Sequence, residues 1–255
     1  MGRRFLARAR CSALRVRKTR PARCPVQPAE RAEALLLAVR AGERFDVAAA
    51  LGDLQSLSAA ELLAGLDTDA ARGAFWTNLY NARVIDAVAR LRERGQVRAR
   101  GRFFHTTSME VGGLRFSLHA IEHGILRCGR PAPWTFWSAL GSRDARRAFA
   151  LREFDPRVHF LLNCGARSCP PIRACRAELW SHQLEIAARS YISSEATLDG
   201  DLLRLPALLR IYARDFPDPL AFARPYLSDE FQVWLTKNPS PKLGWGDYDW
   251  TLGTA

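Results

Sequence analysis

The residues of this chain that are best suited to chemistry lie within positions 155–171. His159 stands inside an apolar run, and Cys164 and Gly165 follow at its end. The run predicts a buried strand over 158–164, because a short apolar stretch bounded by turn residues is typical of one. Side chains at the end of a rigid strand have fixed directions, and functional groups are often found on such loops. The sequence therefore predicts a site around Cys164.

Cys164 is the candidate nucleophile, since a thiol becomes reactive when a nearby imidazole lowers its pKa. Gly165 after it would let backbone N–H groups approach an oxyanion. Side chains alternate along a strand, so His159 and Cys164 are expected on opposite faces. This favours His123 as the imidazole partner, with His159 and Asn163 as orienting groups. Two alternatives stay open: Cys164 is a buried packing residue, or the cluster only holds the loop through hydrogen bonds.

The second thiol of this stretch, Cys169, precedes Pro170 and Pro171. The prolines predict a rigid extended exit, which suits a packing residue. In an oxidising compartment Cys169 and Cys164 could also form a disulfide. We therefore expect Cys164 to be the more reactive of the two thiols.

A predicted helix carries Glu122, His123 and Arg127. His123 and Arg127 are four residues apart and share a face, whereas Glu122 projects to another side. Glu122 joins Cys164, His123 and His159 in the predicted catalytic set. Arg127 would either clamp a substrate carboxylate or pair with a buried acid to hold the helix, and the structural role is favoured.

Asn78 and Asn81 lie three apart within the strongest helical period of the chain, 68–94. Asparagine is unfavourable inside a helix, so two of them require specific partners. They would bind a substrate amide or lock a neighbouring loop. With Arg127 and Asn163 they form the predicted substrate-binding set, which we expect to converge with the catalytic set because buried polar groups need partners.

A rival hypothesis concerns the same helix, because His119, Glu122 and His123 match the His-x-x-Glu-His pattern of zinc peptidases. The two histidines would bind the metal, and the carboxylate would act as a base. The pattern is short, and a third protein ligand is not evident. No metal and no other cofactor is therefore expected, and zinc-dependent hydrolysis is kept as the second alternative.

Periodicity, capping residues and glycine pairs predict the remaining elements. Helices are expected over 30–40, from Ser58 onward, and over 68–94, 117–127, 178–194, 206–215 and 228–238. Short hairpin strands are expected over 102–107, 109–117 and 198–205. Helices and strands do not alternate strictly, so the predicted fold class is α+β, mainly helical with a small antiparallel sheet.

Composition and charge limit the classes of partner. The net charge is +12, but residues 1–23 hold nine basic residues and no acid, which leaves +3 for the rest. No basic stripe interleaved with aromatic residues occurs, so nucleic acid is not expected as the main partner. Residues 1–28 are predicted to be a disordered basic arm and 29–255 a single globular domain. No apolar run suits a signal peptide or a membrane span, so a cytoplasmic location is expected.

Five motifs occur in one order and carry a resemblance to a known family. They are Phe75-Trp-Thr-Asn-Leu-Tyr-Asn-Ala82, Ile121-Glu-His-Gly-Ile-Leu-Arg127, the stretch 155–171, Leu205-Pro206 with Asp215-Phe216, and Tyr248-Asp249-Trp250. Through them the chain resembles the DUF547 family, a domain of unknown function, from about residue 60 to residue 253. The family tends to end in Tyr-Asp-Trp-x-Leu-Asn, whereas this chain has Gly253 at the last position.

The resemblance implies a function only by analogy. The family is similar to papain-like and transglutaminase-like cysteine hydrolases, which implies a papain-like core. It also implies a cysteine-dependent hydrolase or acyl transferase acting on an amide or isopeptide bond of an unknown protein or peptide. In papain-like folds a Cys begins the central helix, but positions 75–78 hold none here. This favours the alternative of a catalytically silent protein- or peptide-binding domain, unless Cys164 has taken over the role.

Overall fold

The computed structural model of the protein describes residues 27–42, 44–99 and 102–253. The predicted arm over 1–28 lies almost wholly outside these residues, so its disorder and the single domain over 29–255 stay predictions. The helices of the described chain are α1 (Pro28–Ala41), α2 (Arg44–Gln55), α3 (Ala59–Gly65), α4 (Asp69–Glu93), α5 (Phe103–Thr106), α6 (Trp180–Glu195), α7 (Ala207–Ile211), α8 (Pro219–Ala223) and α9 (Asp229–Lys237).

The longest helix, α4, is the centre of the fold. Thr68 caps it by accepting a hydrogen bond from the Ala71 N–H at 3.1 Å, and every residue from 73 to 82 is buried. A helix that is buried on all sides belongs to the core of a protein. A Cβ on Gly73 would lie 2.3 Å from the Trp180 indole, so glycine is required for α6 to pack this closely against α4.

Most of the predicted helices are confirmed. Ser58 caps α3 in a capping box with Glu61, and α1, α4, α6 and α9 lie where the periodicity predicts them. The helix expected over 206–215 is shorter, since α7 ends at Ile211. Helical periodicity is a local property, and this explains why it could be recognised without tertiary information.

Two small sheets complete the fold. Strands β1 (Ser108–Val111) and β2 (Leu114–Ser117) form an antiparallel hairpin. Strands β3 (Thr197–Asp199) and β4 (Leu202–Leu205) form a second hairpin, and β5 (Lys242–Trp245) pairs with β4 in parallel. The mainly helical α+β class is confirmed, although this second sheet is mixed because of β5, a strand that the sequence did not predict.

Two of the predicted strands are wrong. Residues 158–164 begin within a 3-10 helix, Pro156–Phe160, and continue as an irregular turn. Asp155 starts this helix by accepting a hydrogen bond from the Arg157 N–H at 2.9 Å, and proline at the first helical position favours helical φ. A short apolar run looks the same in a buried strand and in a buried helix. Likewise, residues 102–107 form α5 and not a strand.

A π-helix, Ala120–Leu126, carries the predicted site residues of the 117–127 segment. The Ser117 hydroxyl accepts a hydrogen bond from the Ala120 N–H at 3.1 Å. The Arg127 N–H donates to the Glu122 carbonyl at 2.9 Å, which is the five-residue spacing of a π-turn. Such turns are rare and occur frequently at functional sites.

Within the described part of the chain, no helix is long and apolar enough to cross a membrane.

Candidate functional site

A cleft between α4, the π-helix, the turn after Phe160 and the C-terminal tail is the candidate site. It has about 600 Å³ of empty space, counting its open mouth. The four residues of the predicted catalytic set line it: Glu122, His123, His159 and Cys164. Further lining residues include Tyr80, Trp134, Cys169, Tyr212, Tyr248 and Trp250. The fold therefore brings the predicted catalytic residues to one place.

Cys164 and Cys169 face each other across the turn as free thiols. Their Sγ atoms are 2.8 Å apart, and the Cys164 N–H donates to Cys169 Sγ at 3.0 Å. The Tyr248 hydroxyl lies 3.2 Å from Cys169 Sγ and 3.6 Å from Cys164 Sγ. Three hydrogen-bond donors can thus converge on the sulfur of Cys169.

This geometry stabilises a thiolate on Cys169 rather than on Cys164. Burial opposes ionisation of Cys169, but the Cys164 thiol, the Tyr248 hydroxyl and the Cys164 N–H outweigh it and lower the Cys169 pKa to about 7. The hydrogen bond to Cys169, together with burial, raises the pKa of Cys164 well above its ordinary value. The donors around a sulfur decide its pKa, so this geometry favours Cys169 as the thiolate of the pair, whereas the higher reactivity expected for Cys164 stays a prediction.

The remaining thiols of the described chain have the opposite environment. The half-buried Cys128 thiol donates to the Leu151 carbonyl at 3.2 Å, and burial raises its pKa to about 11. Cys175 is fully buried, and burial raises its pKa to about 12. Both are internal controls for any chemistry at Cys169.

Gly165 serves the conformation of the turn. Its φ of 88° is left-handed, and a Cβ there would lie 2.6 Å from the Val88 side chain. Its N–H donates to Asn163 Oδ1 at 2.7 Å, and the Cys164 N–H donates to Cys169 Sγ. These two N–H groups therefore already have acceptors, and the expectation that backbone N–H groups of the turn approach an oxyanion stays a prediction.

The asparagines of the predicted substrate-binding set lock loops onto α4. Asn78 donates to the Cys175 carbonyl at 2.7 Å and accepts from the Cys175 N–H at 2.8 Å. Asn81 donates to the Leu161 carbonyl at 2.8 Å and accepts from the Asn163 N–H at 3.0 Å. Both amides are fully buried and form hydrogen bonds with backbone groups. Their role as substrate-binding groups stays a prediction.

His159 is held by Asp215, whose Oδ2 lies 2.8 Å from the ring Nε2. Burial would raise the Asp215 pKa, but His159 and Arg127 lower it to about 2, so the carboxylate accepts the Nε2 proton. Burial lowers the pKa of His159, which leaves the ring neutral and Nδ1 unprotonated. Nδ1 makes no hydrogen bond to the described residues. His159 is therefore prepared to accept a proton at Nδ1.

His123 is held through its other ring nitrogen, Nδ1, which leaves Nε2 available. Arg127 Nη1 donates to His123 Nδ1 at 2.7 Å, and arginine can only donate. Burial lowers the His123 pKa to about 4, so the neutral ring carries its proton on Nε2, which lies 3.7 Å from Glu122 Oε1. Arg127 Nε also donates to Asp215 Oδ2 at 2.7 Å. Arg127 thus pairs with a buried acid, as its structural alternative predicts, and His123 is a hydrogen-bond donor rather than a base.

Glu122 is a buried carboxylate with two phenolic donors. The Tyr80 hydroxyl donates to Oε2 at 2.9 Å, and the Tyr212 hydroxyl donates to Oε1 at 2.5 Å. Burial would raise the Glu122 pKa, but His123 and the Tyr212 hydroxyl outweigh it, so the pKa is lowered. Glu122 therefore remains ionised, and each of its two oxygens accepts a hydrogen bond from a tyrosine hydroxyl.

The zinc alternative finds no support in the donor geometry. Across the described residues, no group of three His, Cys, Asp or Glu side chains could hold a metal ion. His123 Nδ1 is already bonded to Arg127. The His119 ring packs against the rings of His105 and His123, with centroids at 4.1 and 4.7 Å. His119 thus belongs to a ring stack beside the cleft.

Sequence reasoning missed several residues that shape the cleft. They are Tyr80, Cys169 as a thiolate, Tyr212, Asp215 and Tyr248. A signal existed for Asp215 and Tyr248, since both stand in the motifs that carry the family resemblance. Tyr80 also stands in one of these motifs, but its place in the helical period over 68–94 explained it as a core residue, and no comparable signal marked Tyr212.

Tyr248 reaches the thiols because the C-terminal tail is tied to the cysteine turn. The Arg167 N–H donates to the Thr251 carbonyl at 2.8 Å, and the Gly253 N–H donates to the Gly165 carbonyl at 2.9 Å. Both bonds involve residues that follow Tyr248 in the chain. They hold the tail against the cysteine turn and so keep the Tyr248 hydroxyl near both sulfurs. The tail is thus a wall of the cleft.

Comparison with known proteins gives one match. The family described as "Protein of unknown function, DUF547" matches residues 63–192, which is half of the chain. The match includes the cysteine turn and the π-helix and ends before Asp215 and Tyr248. No curated protein and no solved structure matches the chain, so the papain-like core stays a prediction.

Proposed function

The chain belongs to the DUF547 family, and from this premise we propose that it is a cysteine-dependent hydrolase or acyl transferase acting on an amide or isopeptide bond. One observation carries the proposal: a turn that stabilises a thiolate lines the same cleft as two neutral histidines, of which one offers an unprotonated nitrogen (His159 Nδ1) and the other an N–H group (His123 Nε2). Cys169 is the nucleophile, His159 the base and His123 the hydrogen-bond donor. Cys164, which the sequence favours as nucleophile, supports the thiolate with its own thiol.

The protonation states of the cleft fit acyl transfer. The Cys169 sulfur attacks the carbonyl carbon as His159 Nδ1 takes up the Cys169 thiol proton. The imidazolium returns this proton to the leaving amine as the C–N bond breaks, which leaves an acyl group on Cys169. His159 then removes a proton from a water molecule or from an acceptor amine that attacks the thioester. Asp215 keeps the ring in the tautomer that both steps need.

His123 supports the proposal through its Nε2–H. A neutral imidazole can donate a hydrogen bond to the oxygen that becomes negative during attack on a carbonyl. Arg127 maintains this tautomer by donating to Nδ1. The base and the donor thus differ in role because their partners carry opposite charges.

The proposal is tested by single-turnover acylation with 4-nitrophenyl acetate. We expect a burst of nitrophenol and one acetyl group that peptide mapping assigns to Cys169. Cys169→Ala abolishes the burst, and Cys164→Ser retains part of it. His159→Gln slows acylation by roughly 100-fold or more, the usual contribution of a general base. Cys128 in the same sample is the matched control thiol.

Acetylation that is no faster at Cys169 than at Cys128 would contradict the proposal, as would acetylation that maps to Cys164 in the unmodified protein. Circular dichroism of each variant separates loss of chemistry from loss of fold. Because the reaction of the unmodified protein is itself decisive, the test does not depend on the folding of any variant.

A second candidate, a catalytically silent protein- or peptide-binding domain, is favoured by the aromatic side chains around the mouth of the cleft. Trp134 and Trp250 line the cleft while 63% and 47% exposed, and Phe136 is 81% exposed. Exposed aromatic residues are enriched in protein-binding surfaces. The acylation test separates the two candidates, since a silent domain gives no burst.

A further inference from the structure

The thiol pair has a geometry that acyl transfer does not require. A cysteine hydrolase needs one nucleophilic sulfur, whereas here a second free thiol lies 2.8 Å from the first. A disulfide has an S–S distance of about 2.05 Å, so a shift of less than 1 Å would join the two sulfurs. Both side chains line the open cleft, where a small reactant can reach them.

We infer that Cys169 and Cys164 form a peroxide-reducing dithiol, in which Cys169 reacts with a hydroperoxide and Cys164 resolves the product to a disulfide. The assignment of the two roles follows from the donors. Cys169 Sγ accepts from the Cys164 N–H at 3.0 Å and lies 3.2 Å from the Tyr248 hydroxyl. The Cys164 sulfur is close enough to attack the Cys169 sulfur, but it lies farther from the Tyr248 hydroxyl, at 3.6 Å.

The proposed reaction is a balanced two-electron exchange. The Cys169 thiolate attacks the terminal oxygen of the hydroperoxide, the O–O bond breaks, and the alkoxide or hydroxide leaves as an alcohol or as water after taking up a proton. Cys169 is then a sulfenic acid. The Cys164 sulfur loses its proton and attacks the Cys169 sulfur, the S–O bond breaks, and the hydroxide takes up that proton and leaves as a second molecule of water. The dithiol is oxidised by two electrons, and the peroxide is reduced by two.

The surroundings of the pair make Cys169 more reactive toward a peroxide than the other thiols of the described chain. The low pKa of Cys169, about 7, makes half of it thiolate at neutral pH. The thiolate is the form that reacts with peroxides. Cys128 and Cys175, with pKa values of about 11 and 12, remain protonated. The Tyr248 hydroxyl can donate a hydrogen bond to Cys169 Sγ, which stabilises the negative charge of the thiolate before it attacks the peroxide.

The disulfide would also remove the nucleophile of the proposed acyl transfer. This consequence alone rests on the proposed function, whereas the peroxide reaction does not. Oxidation would then switch acyl transfer off, and a dithiol reductant would restore it. The two inferences are thus separable by experiment.

The test uses the reduced full-length protein and hydrogen peroxide, with cumene hydroperoxide in a parallel arm. We expect peptide mapping to find a Cys164–Cys169 disulfide that dithiothreitol reverses. Cys169 should be consumed on the order of a hundredfold faster than Cys128 at pH 6, after allowing for the lower nucleophilicity of a low-pKa thiolate. In Cys164→Ser, dimedone should trap a sulfenic acid on Cys169. Faster reaction with cumene hydroperoxide would indicate an organic substrate, and equal or slower reaction a small one.

Consumption of Cys169 at the rate of Cys128 would overturn the inference. So would stable sulfenic or sulfinic acid on Cys169 of the unmodified protein, since Cys164 would then not resolve it. Both readouts come from the unmodified chain and do not depend on the folding of a variant. A disulfide without any acetylation burst would support this inference and contradict the proposed function, and a burst without a disulfide would do the reverse.

Discussion

The two walls of the cleft are held by different forces. The imidazole wall consists of Glu122, His123, Arg127, His159 and Asp215. The thiol wall consists of Cys164, Cys169 and Tyr248. The imidazole wall is buried and built around the Arg127–Asp215 ion pair, to which two neutral imidazoles are hydrogen-bonded. The thiol wall is partly exposed and built from neutral donors around one sulfur.

This difference predicts how strongly each wall affects the stability of the fold and the reactivity of the thiols. Removal of one member of a buried charge network leaves an uncompensated charge, which destabilises the fold strongly. Removal of a neutral donor near the surface alters a pKa but leaves few buried groups unsatisfied. The imidazole wall should therefore control stability as well as proton placement, and the thiol wall mainly reactivity.

The largest effect is expected for Asp215→Asn. Arg127, 1% exposed, would lose its carboxylate partner, and His159 would lose the acceptor that sets its tautomer. We expect the free energy of unfolding to fall by about 3–5 kcal/mol in urea denaturation. Asp199→Asn is the matched control, because its pair with Arg204 is exposed and should change stability by about 1 kcal/mol or less. Similar losses for both variants would contradict the comparison.

A smaller loss is expected when a donor is removed from Glu122. Tyr80→Phe deletes the hydroxyl that donates to Oε2 of this buried carboxylate, and hydrogen bonds to charged groups contribute about 1.5–3 kcal/mol. Urea denaturation measures the change. Tyr226→Phe is the control, since its hydroxyl donates at 3.3 Å to the more exposed Glu185. Equal effects of the two variants would show that Glu122 does not depend on Tyr80.

The pH dependence of stability should report on His123. Its pKa is about 4 in the folded protein and about 6.5 when unfolded. As the pH falls from 6.5 to 4, the unfolded chain binds a proton that the folded chain does not. Stability is therefore lost within this window and does not change further below it. For this residue the loss between pH 7 and pH 5 is about 2 kcal/mol.

The matching measurement compares urea denaturation of the unmodified protein and His123→Gln at pH 7 and pH 5. Glutamine does not titrate, so the variant should be less stable at pH 7 but should lose less stability on acidification. A variant with the same pH slope as the unmodified protein would show that His123 is already protonated in the fold or titrates normally.

The smallest effect on stability is expected at the thiol wall. Iodoacetamide at pH 6 should label Cys169 before Cys164, on the order of a hundredfold faster than Cys128. Tyr248→Phe removes one donor, so labelling of Cys169 should slow by about threefold while urea denaturation changes little. Peptide mapping after short exposure measures both rates. Labelling of Cys164 first would restore the assignment made from the sequence and would weaken the distinction between the walls.

Local patterns in the sequence were sufficient for most of the scaffold. The period over 68–94 predicted α4, and the capping box at Ser58 predicted α3. The glycines at 112 and 113 predicted the β1–β2 hairpin. These signals depend on neighbours within a few residues, so they can be recognised along the chain. The convergence of Glu122, His123, His159 and Cys164 was also predictable, because polar groups in apolar segments need partners.

The conformation around the site could not be derived in the same way. The run over 158–164 has the composition of a buried strand and of a buried helix, and Pro156 with Asp155 selected a 3-10 helix. The opposite-face argument that favoured His123 over His159 as the base therefore started from the wrong conformation. A short apolar run records that a segment is buried but not its dihedral angles.

The sequence by itself determined α1, α3, α4, α6 and α9, the mainly helical α+β class and four of the residues that meet in the cleft, Glu122, His123, His159 and Cys164. Only the tertiary structure decided which atoms of these residues are protonated and which of their nitrogens remain available in the cleft. His123 and His159 are both buried neutral imidazoles, and they differ because Arg127 faces one and Asp215 the other, from a position 88 residues along the chain from Arg127. The pKa of Cys169 is lowered because the Cys164 thiol and the hydroxyl of Tyr248, 79 residues later, both face its sulfur. Proton positions depend on distances of about 3 Å between side chains, and sequence separation does not encode those distances.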